Sequence, residues 1–223
     1  MIDFAAARRM MVDGQIRTSD VTDPRIIDAM LEIPREKFLP AEQASFAYFD
    51  LDVPASAGAS PSPARRLLKP MVLAKLIQAA EIGEGDRVLD VACASGYSTA
   101  VLAHLAGSVI GLEEDAGLAE RAAQTLRALG ALRVQIVTGP LSAGWPAQAP
   151  YDVIFLNGAF ETLPAALLRQ LKDGGRLVGV KGRPPAGKAI LYRSIGAEVS
   201  GRPIFDAAAP LLPGFVQPPT FVF

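Results

Sequence analysis

The chain has 223 residues, half of them apolar and a fifth charged, and its formal net charge is −1 at pH 7. This balance is typical of one globular α/β domain with a small appendage, and it gives no reason to expect nucleic-acid binding, which normally needs a basic face. A single cysteine excludes an intrachain disulfide, and a single histidine, His104, excludes a histidine metal cluster.

The first part of the chain is predicted to be helical. Residues 5–15 and 23–31 carry apolar positions at helical spacing, and Asp23-Pro24 is a favourable helix start. Between 53 and 63 the composition changes to proline, alanine, serine and glycine, which predicts a loop or linker. Residues 70–80 return to helical spacing, with a proline in the first turn.

Strands and helices alternate in the remainder of the chain. Strands are predicted at 87–91, 108–112, 133–137, 151–156, 176–180 and 189–193, and helices at 97–106, 118–129 and 163–171, with a turn at Gly174-Gly175. The tail from 204 to 223 has four prolines between Pro210 and Pro219, which predicts an irregular segment with at most one edge strand. The alternation implies a doubly wound, mostly parallel sheet. We predict a helical segment and loop over 1–69, packed on a Rossmann-like domain over 70–223.

The turn after the strand at 87–91 carries the main chemical signal. It runs from Asp90 to Gly96 as Asp-Val-Ala-Cys-Ala-Ser-Gly. A dinucleotide loop needs G-x-G-x-x-G, but the corresponding positions are Ala92, Ala94 and Tyr97, and a carboxylate at Asp90 would repel a phosphate.

That carboxylate instead suits a ligand with cationic groups, and S-adenosylmethionine carries an α-amino group and a sulfonium. Glu113, at the end of the next strand, could accept hydrogen bonds from ribose hydroxyls. The alternative interpretation is a tight strand-to-helix turn with incidental surface acids.

Longer motifs lie on both sides of that turn. They are Met11–Arg17, Ala29–Pro40, Arg87–Ala100, Ala149–Phe155 and Gly174–Val178. Over most of residues 10 to 182 the chain resembles the protein-L-isoaspartate O-methyltransferase family. The resemblance implies an α/β sheet of the S-adenosylmethionine-dependent methyltransferase type and a protein-repair enzyme that methylates a carboxylate of a protein or peptide.

The chain departs from the family pattern at three places. The family carries Thr-Ile-Ser-x-Pro, whose serine lies beside the cofactor and the substrate carboxylate, but here Arg66–Pro70 reads Arg-Leu-Leu-Lys-Pro, with Leu68 at the serine position. The family has an acid near the adenine in Gly-Asp-Gly, and in this chain Pro140, after Gly139, stands at that position. After the fourth strand, Asn157 stands where the family has Thr-Ala-Ala or similar. Three hypotheses stay open: isoaspartyl repair, a same-fold methyltransferase with a changed acceptor, and a non-catalytic cofactor-binding module.

The candidate site residues come from the turn, the neighbouring strand ends and the altered motif. The predicted cofactor-binding residues are Leu68, Asp90, Ala92, Cys93, Ala94, Ser95, Gly96, Glu113, Glu114, Gly139, Pro140 and Asn157. An ionised carboxylate needs no general base to accept a methyl group, so positioning is the main requirement. Asn157 is predicted to orient the acceptor, unless it only caps a turn. Lys69 is predicted to attract the acceptor, unless it is solvated surface. Together with Arg65 and Arg66 it could attract an anion, but three charges near a loop are usually solvated surface, which is how we interpret Arg65 and Arg66.

The location of the protein is predicted from what the sequence lacks. The first residues contain no apolar segment typical of a signal peptide, and no apolar run approaches the ~20 residues that span a bilayer. We therefore expect a cytoplasmic protein with no membrane, metal or nucleic-acid partner. The sequence carries no signal for an oligomeric state.

Overall fold

The computed structural model describes residues 2–57, 65–196 and 198–217. Two short strands, β1 (Val53–Pro54) and β2 (Arg66–Leu67), pair antiparallel with each other. The main sheet contains seven further strands: β3 (Arg87–Val91), β4 (Ser108–Glu113), β5 (Val134–Thr138), β6 (Tyr151–Phe160), β7 (Leu171–Lys181), β8 (Lys188–Ile195) and β9 (Glu198–Asp206).

The main sheet has the strand order β5-β4-β3-β6-β7-β8-β9. Strands β3 to β7 run parallel to one another, whereas β8 is antiparallel to β7 and β9 is antiparallel to β8. The chain proceeds outward from β3 to β5 and then returns to the other side of β3, which makes the boundary between β3 and β6 a topological switch point. The predicted doubly wound, mostly parallel sheet is confirmed.

Within the described residues, six α-helices accompany the strands: α1 (Phe4–Met11), α2 (Pro24–Glu32), α3 (Pro70–Ala79), α4 (Tyr97–Leu105), α5 (Ala116–Ala128) and α6 (Ala165–Leu168). The first predicted helix ends earlier than expected, because α1 passes into a π-helical turn over Val12–Ile16. Helix α2 starts as predicted, with the Asp23 carboxylate accepting a hydrogen bond from the Arg25 backbone N–H.

Two predictions around residue 170 are wrong. The helix expected over 163–171 is limited to the single turn α6, because Leu171 already pairs with Tyr151 in the sheet. The turn expected at Gly174-Gly175 lies inside β7, where the register with β6 shifts. Long-range pairing with a buried central strand therefore overrides the local helical pattern.

The ends of the sheet also differ from the prediction. Strand β6 extends to Phe160, beyond the expected end at 156. Strand β9 begins at Glu198, before the tail in which an edge strand was expected. The loop predicted for 53–63 contains β1, and its residues 58–63 lie outside the described residues.

The amino-terminal helices share a hydrophobic core with one face of the sheet. Met11, Ile26 and Phe38 belong to the same buried cluster as Val88 and Val153. The predicted boundary at residue 69 stays a prediction. Across the ranges that the structure covers, no helix is both long enough and apolar enough to cross a membrane.

Candidate active site

The turn between β3 and α4 lies at the switch point, where the carboxyl ends of the parallel strands meet. Ala92, Ala94 and Gly96 have left-handed backbone conformations, with φ of 64°, 52° and 94°. Glycine adopts this conformation freely, whereas an alanine is strained there. A Cβ on Gly96 would lie 3.0 Å from Leu126 Cδ1 and 3.1 Å from Ala122 Cβ, so this position also allows α5 to approach closely.

Asp90 is fully buried beneath the turn. Its Oδ2 accepts hydrogen bonds from the Ser98 and Thr99 hydroxyls, each 2.7 Å away, and its Oδ1 accepts one of 3.1 Å from the Asn157 amide. Burial raises the pKa of Asp90 to about 7, although these hydrogen bonds act in the opposite direction, and the charge of Glu113 raises the pKa further. A carboxyl that changes its charge near neutral pH is a frequent feature of functional sites.

Glu113 is fully buried at the end of β4 and accepts several hydrogen bonds. Its Oε2 accepts from the Ala94 backbone N–H at 2.9 Å, and its Oε1 accepts from the backbone N–H groups of Glu114 and Asp115 at 2.9 and 3.1 Å. Arg65 Nε donates to the same Oε1 at 3.0 Å, and its Nη2 lies 2.6 Å from Glu114 Oε1. The acid predicted to bind ribose hydroxyls is therefore covered by a guanidinium.

Arg65 was missed by the sequence analysis. The interpretation of this residue as solvated surface is wrong, because only 8% of it is exposed. Its partner Glu113 lies 48 positions further along the chain, so local spacing contains no signal for the pair. Ser98 and Thr99 were missed as well. Their signal in the sequence is that both hydroxyl residues lie in the first turn of the helix that follows the strand containing Asp90.

Leu68 is buried, with 1% exposure, and its backbone is held in place by Arg35. The fully buried guanidinium of Arg35 donates to the carbonyl oxygens of Leu68 at 2.8 Å and Ala47 at 2.7 Å, and it stacks over the Tyr97 ring at 4.7 Å. Burial lowers the pKa of Arg35. Since Tyr97 begins α4, Arg35 links the altered motif directly to the turn after β3.

Cys93 and Ser95 point into the protein interior. Both are fully buried, and the Ser95 hydroxyl makes a short hydrogen bond to the Phe38 carbonyl. Burial raises the pKa of the Cys93 thiol well above its usual range, which keeps it protonated and weakly reactive at neutral pH. These two positions therefore contribute backbone and shape to the turn.

The remaining predicted residues lie at the ends of β5 and β6 and before α3. The Gly139 backbone N–H donates to the Glu113 carbonyl at 3.1 Å, and Pro140 leads into a short 3₁₀ turn over Leu141–Ala143. Asn157, 8% exposed, directs its amide nitrogen to Asp90 and to a short contact with Ser98. The Lys69 backbone N–H donates to Asp52 Oδ1, and its side chain is partly exposed.

The arrangement brings two acids, small side chains and backbone N–H groups to one edge of the sheet. The carboxylates of Asp90 and Glu113 suit a ligand with a cationic group and hydroxyl groups, and the narrow turn allows close approach. This donor set fits S-adenosylmethionine, although Glu113 Oε1 also accepts a hydrogen bond from Arg65.

Comparison with known proteins supports the same assignment. Residues 6–184 match the family model described as Protein-L-isoaspartate(D-aspartate) O-methyltransferase. A relative named Protein-L-isoaspartate O-methyltransferase 1, from Rhodopseudomonas palustris (strain HaA2), is 42% identical over 175 residues, covering 78% of this chain and 69% of that protein. One from Methylorubrum populi, named Protein-L-isoaspartate O-methyltransferase, is 41% identical over 186 residues and covers 83% and 84%.

Solved structures give the same result for the fold. A structure named protein-L-isoaspartate O-methyltransferase superposes with a TM-score of 0.81 at 25% identity. The match covers 93% of this chain and 66% of the other, so this chain spans just under two thirds of that protein's length. A structure from Plasmodium falciparum in complex with S-adenosyl-L-homocysteine has a TM-score of 0.72 at 17% identity, covering 95% of this chain and 99% of the other. At that identity the second likeness concerns the fold alone.

Proposed function

We infer the activity from family membership, because the chain belongs to the protein-L-isoaspartate(D-aspartate) O-methyltransferase family. It is an S-adenosylmethionine-dependent O-methyltransferase, and we propose that its acceptor is the carboxylate of a damaged aspartyl residue in a protein. The observation that carries the proposal is the family match over residues 6–184, which includes the turn from Asp90 to Gly96 and the acid Glu113.

When bound, the cofactor supplies an electrophilic methyl group on a sulfonium. We propose that Glu113 and Glu114 hold its hydroxyl groups and that Asp90, from beneath the turn, balances its positive charge. Asn157 adds the side-chain amide that donates to Asp90. The remaining residues of the proposed cofactor site contribute shape and backbone groups: Leu68, Ala92, Cys93, Ala94, Ser95, Gly96, Gly139 and Pro140.

The acceptor carboxylate needs orientation and no base. A carboxylate is ionised at neutral pH and is already nucleophilic, so holding it in line with the methyl group is the contribution required of the protein. We propose that Asn157 acts in this positioning and that Lys69 attracts the acceptor. A cytoplasmic location is part of the proposal, and it rests on the single cysteine, which suits a reducing compartment.

A second candidate is a methyltransferase with a changed acceptor. It is favoured by one observation, the buried leucine at position 68, where the resemblance implies a serine beside the substrate carboxylate. A leucine side chain can neither donate nor accept a hydrogen bond, so the recognition of the acceptor has to differ in this chain.

Two measurements separate the candidates. Calorimetry with S-adenosylmethionine and S-adenosylhomocysteine tests cofactor binding, and absence of binding would leave only a module without activity. Transfer of a radiolabelled methyl group to an isoaspartyl peptide, beside a matched aspartyl peptide, tests the acceptor. Labelling of the isoaspartyl peptide alone supports repair, whereas cofactor binding without labelling of either peptide favours a changed acceptor.

A further inference from the structure

A second concave surface opens at the same edge of the sheet, on the side of β7. This groove has a volume of about 770 Å³ and is formed by the start of α3, the turn after β7 and the adjoining ends of β8 and β9. The residues that determine its character are Lys69, Met71, Lys181, Lys188, Ile190 and Asp206.

The rim of the groove is positively charged. Lys188 Nζ lies 2.5 Å from Asp206 Oδ1, so these two charges balance each other. Lys69 and Lys181 form no ion pair with any residue in the described ranges. The three lysines and one aspartate that line the groove sum to +2, on a chain whose formal net charge is −1, and Asp52, which accepts a hydrogen bond from the Lys69 backbone N–H, offsets part of this charge.

The groove and the proposed acceptor position are neighbours along the chain and in the sheet. Lys69 directly follows Leu68 in the altered motif, and Lys181 is paired in register with Phe160, three residues beyond Asn157 on β6. Strand β7 is two strands away from β3, a separation of about 10 Å, which is the length of about three residues of extended polypeptide. Neighbours of a residue bound at the switch point can therefore reach the groove.

We propose that this groove binds acidic side chains that flank the methyl acceptor, so that the enzyme selects acidic segments of polypeptide. The proposal rests on the proposed function and adds a substrate class to it. Glutamate fits the groove because its carboxylate can pair with Lys69 or Lys181, while its methylene groups can pack on Met71 and Ile190.

The test uses two isoaspartyl peptides that differ only in having glutamates or glutamines on both sides of the acceptor. For the wild-type enzyme we expect a KM about three- to tenfold lower for the glutamate peptide, a preference that high salt removes. The double variant Lys69→Gln/Lys181→Gln should lose this preference. Lys37→Gln, which changes an exposed lysine in the amino-terminal segment, is the matched control and should keep it.

A binding measurement separates failure of this inference from failure of the proposed function. Fluorescence anisotropy with a labelled glutamate-rich peptide that contains no isoaspartate reports on the groove alone. If neither isoaspartyl peptide is methylated but this peptide binds the wild type better than the double variant, the result supports the groove as a binding site for acidic peptides and contradicts the repair function. Equal KM values for the two peptides, unchanged preference in the double variant, or equal binding of both proteins would overturn the inference.

Discussion

Arg65 Nε lies 3.0 Å from Glu113 Oε1, so a buried cation covers the acid that we propose to bind the cofactor's hydroxyl groups. The same guanidinium reaches Glu114, so Arg65 engages both acids. If the cofactor's hydroxyl groups bind Glu113 as we propose, they compete with this ion pair, and Arg65 then acts against binding.

The first prediction concerns Arg65→Gln. Removal of the competing cation should raise the affinity for S-adenosylhomocysteine about three- to tenfold, measured by calorimetry. The same change should lower the free energy of unfolding by about 1–3 kcal/mol, because Glu113 keeps only its backbone N–H donors. Arg66→Gln, which alters an exposed neighbour, is the control and should change neither quantity. Weaker binding in Arg65→Gln would show that Arg65 helps to hold the ligand.

The second prediction is a dependence of stability on pH that comes from Asp90. Its pKa is raised to about 7 in the folded protein, from a usual value near 3.8, so the protonated carboxyl favours the folded state. This contribution is fully present below about pH 4 and is lost as the pH rises through about 7. Urea unfolding of the wild type and Asp90→Asn between pH 4.5 and 8.5 should show the wild type losing stability relative to the variant. A stability difference between the wild type and Asp90→Asn that does not change with pH would contradict the raised pKa of Asp90.

The third prediction tests Asn157. If Asn157 orients the acceptor, Asn157→Ala should lower kcat about ten- to a hundredfold while the affinity for S-adenosylhomocysteine stays nearly constant. Ser98→Ala removes another hydrogen bond to Asp90 and is the matched control. Should both variants lose cofactor affinity to the same extent, Asn157 acts only by supporting Asp90.

The fourth prediction restores the family serine at position 68. Leu68→Ser should raise the rate of methyl transfer to an isoaspartyl peptide, if the loss of that serine altered acceptor recognition. It should also cost about 2–4 kcal/mol of stability, because Leu68 is buried. Leu67→Ser, at the neighbouring position, which is also buried, should cost similar stability without any gain in rate. A higher methyl-transfer rate in both variants would indicate that loosening of residues 66–70, rather than the serine hydroxyl, causes the effect.

The fifth prediction concerns backbone strain in the cofactor turn. Ala94 has a φ of 52°, so Ala94→Gly relieves the strain of a left-handed alanine. This gain offsets the greater conformational entropy that glycine gives the unfolded chain. Thermal unfolding should show a stability equal to the wild type or up to about 1 kcal/mol higher. Ala100→Gly, within α4, should instead cost about 1 kcal/mol. Equal losses in both variants would mean that Ala94 carries no strain.

Local patterns in the sequence were sufficient to predict the centre of the fold. Strands β3, β4 and β6 are buried on both faces, so their residues form nearly continuous apolar runs that are visible without a partner. The turn from Asp90 to Gly96 is contiguous, and its acid and small residues were identified by spacing alone. The family was recognised from the same segments, and the match over residues 6–184 confirms it.

Other features depend on partners that are distant in sequence. Helix α6 is shorter than its local pattern indicates because Leu171 pairs with Tyr151. Strand β9 was not anticipated at Glu198, since an exposed edge strand lacks a strong alternation of apolar residues. These elements follow from sheet pairing, which local periodicity does not encode.

The sequence by itself determined the parallel core, the cofactor turn and the family, because each is recorded in short contiguous segments. Only the tertiary structure decided which partners the two acids, Asp90 and Glu113, have. Asp90 receives its hydrogen bonds from α4 and β6, and Glu113 is covered by Arg65 from a segment 48 residues earlier in the chain. Burial raises the pKa of Asp90, and tertiary packing selects the hydrogen-bond partners of both acids, so both effects are properties of the packed molecule.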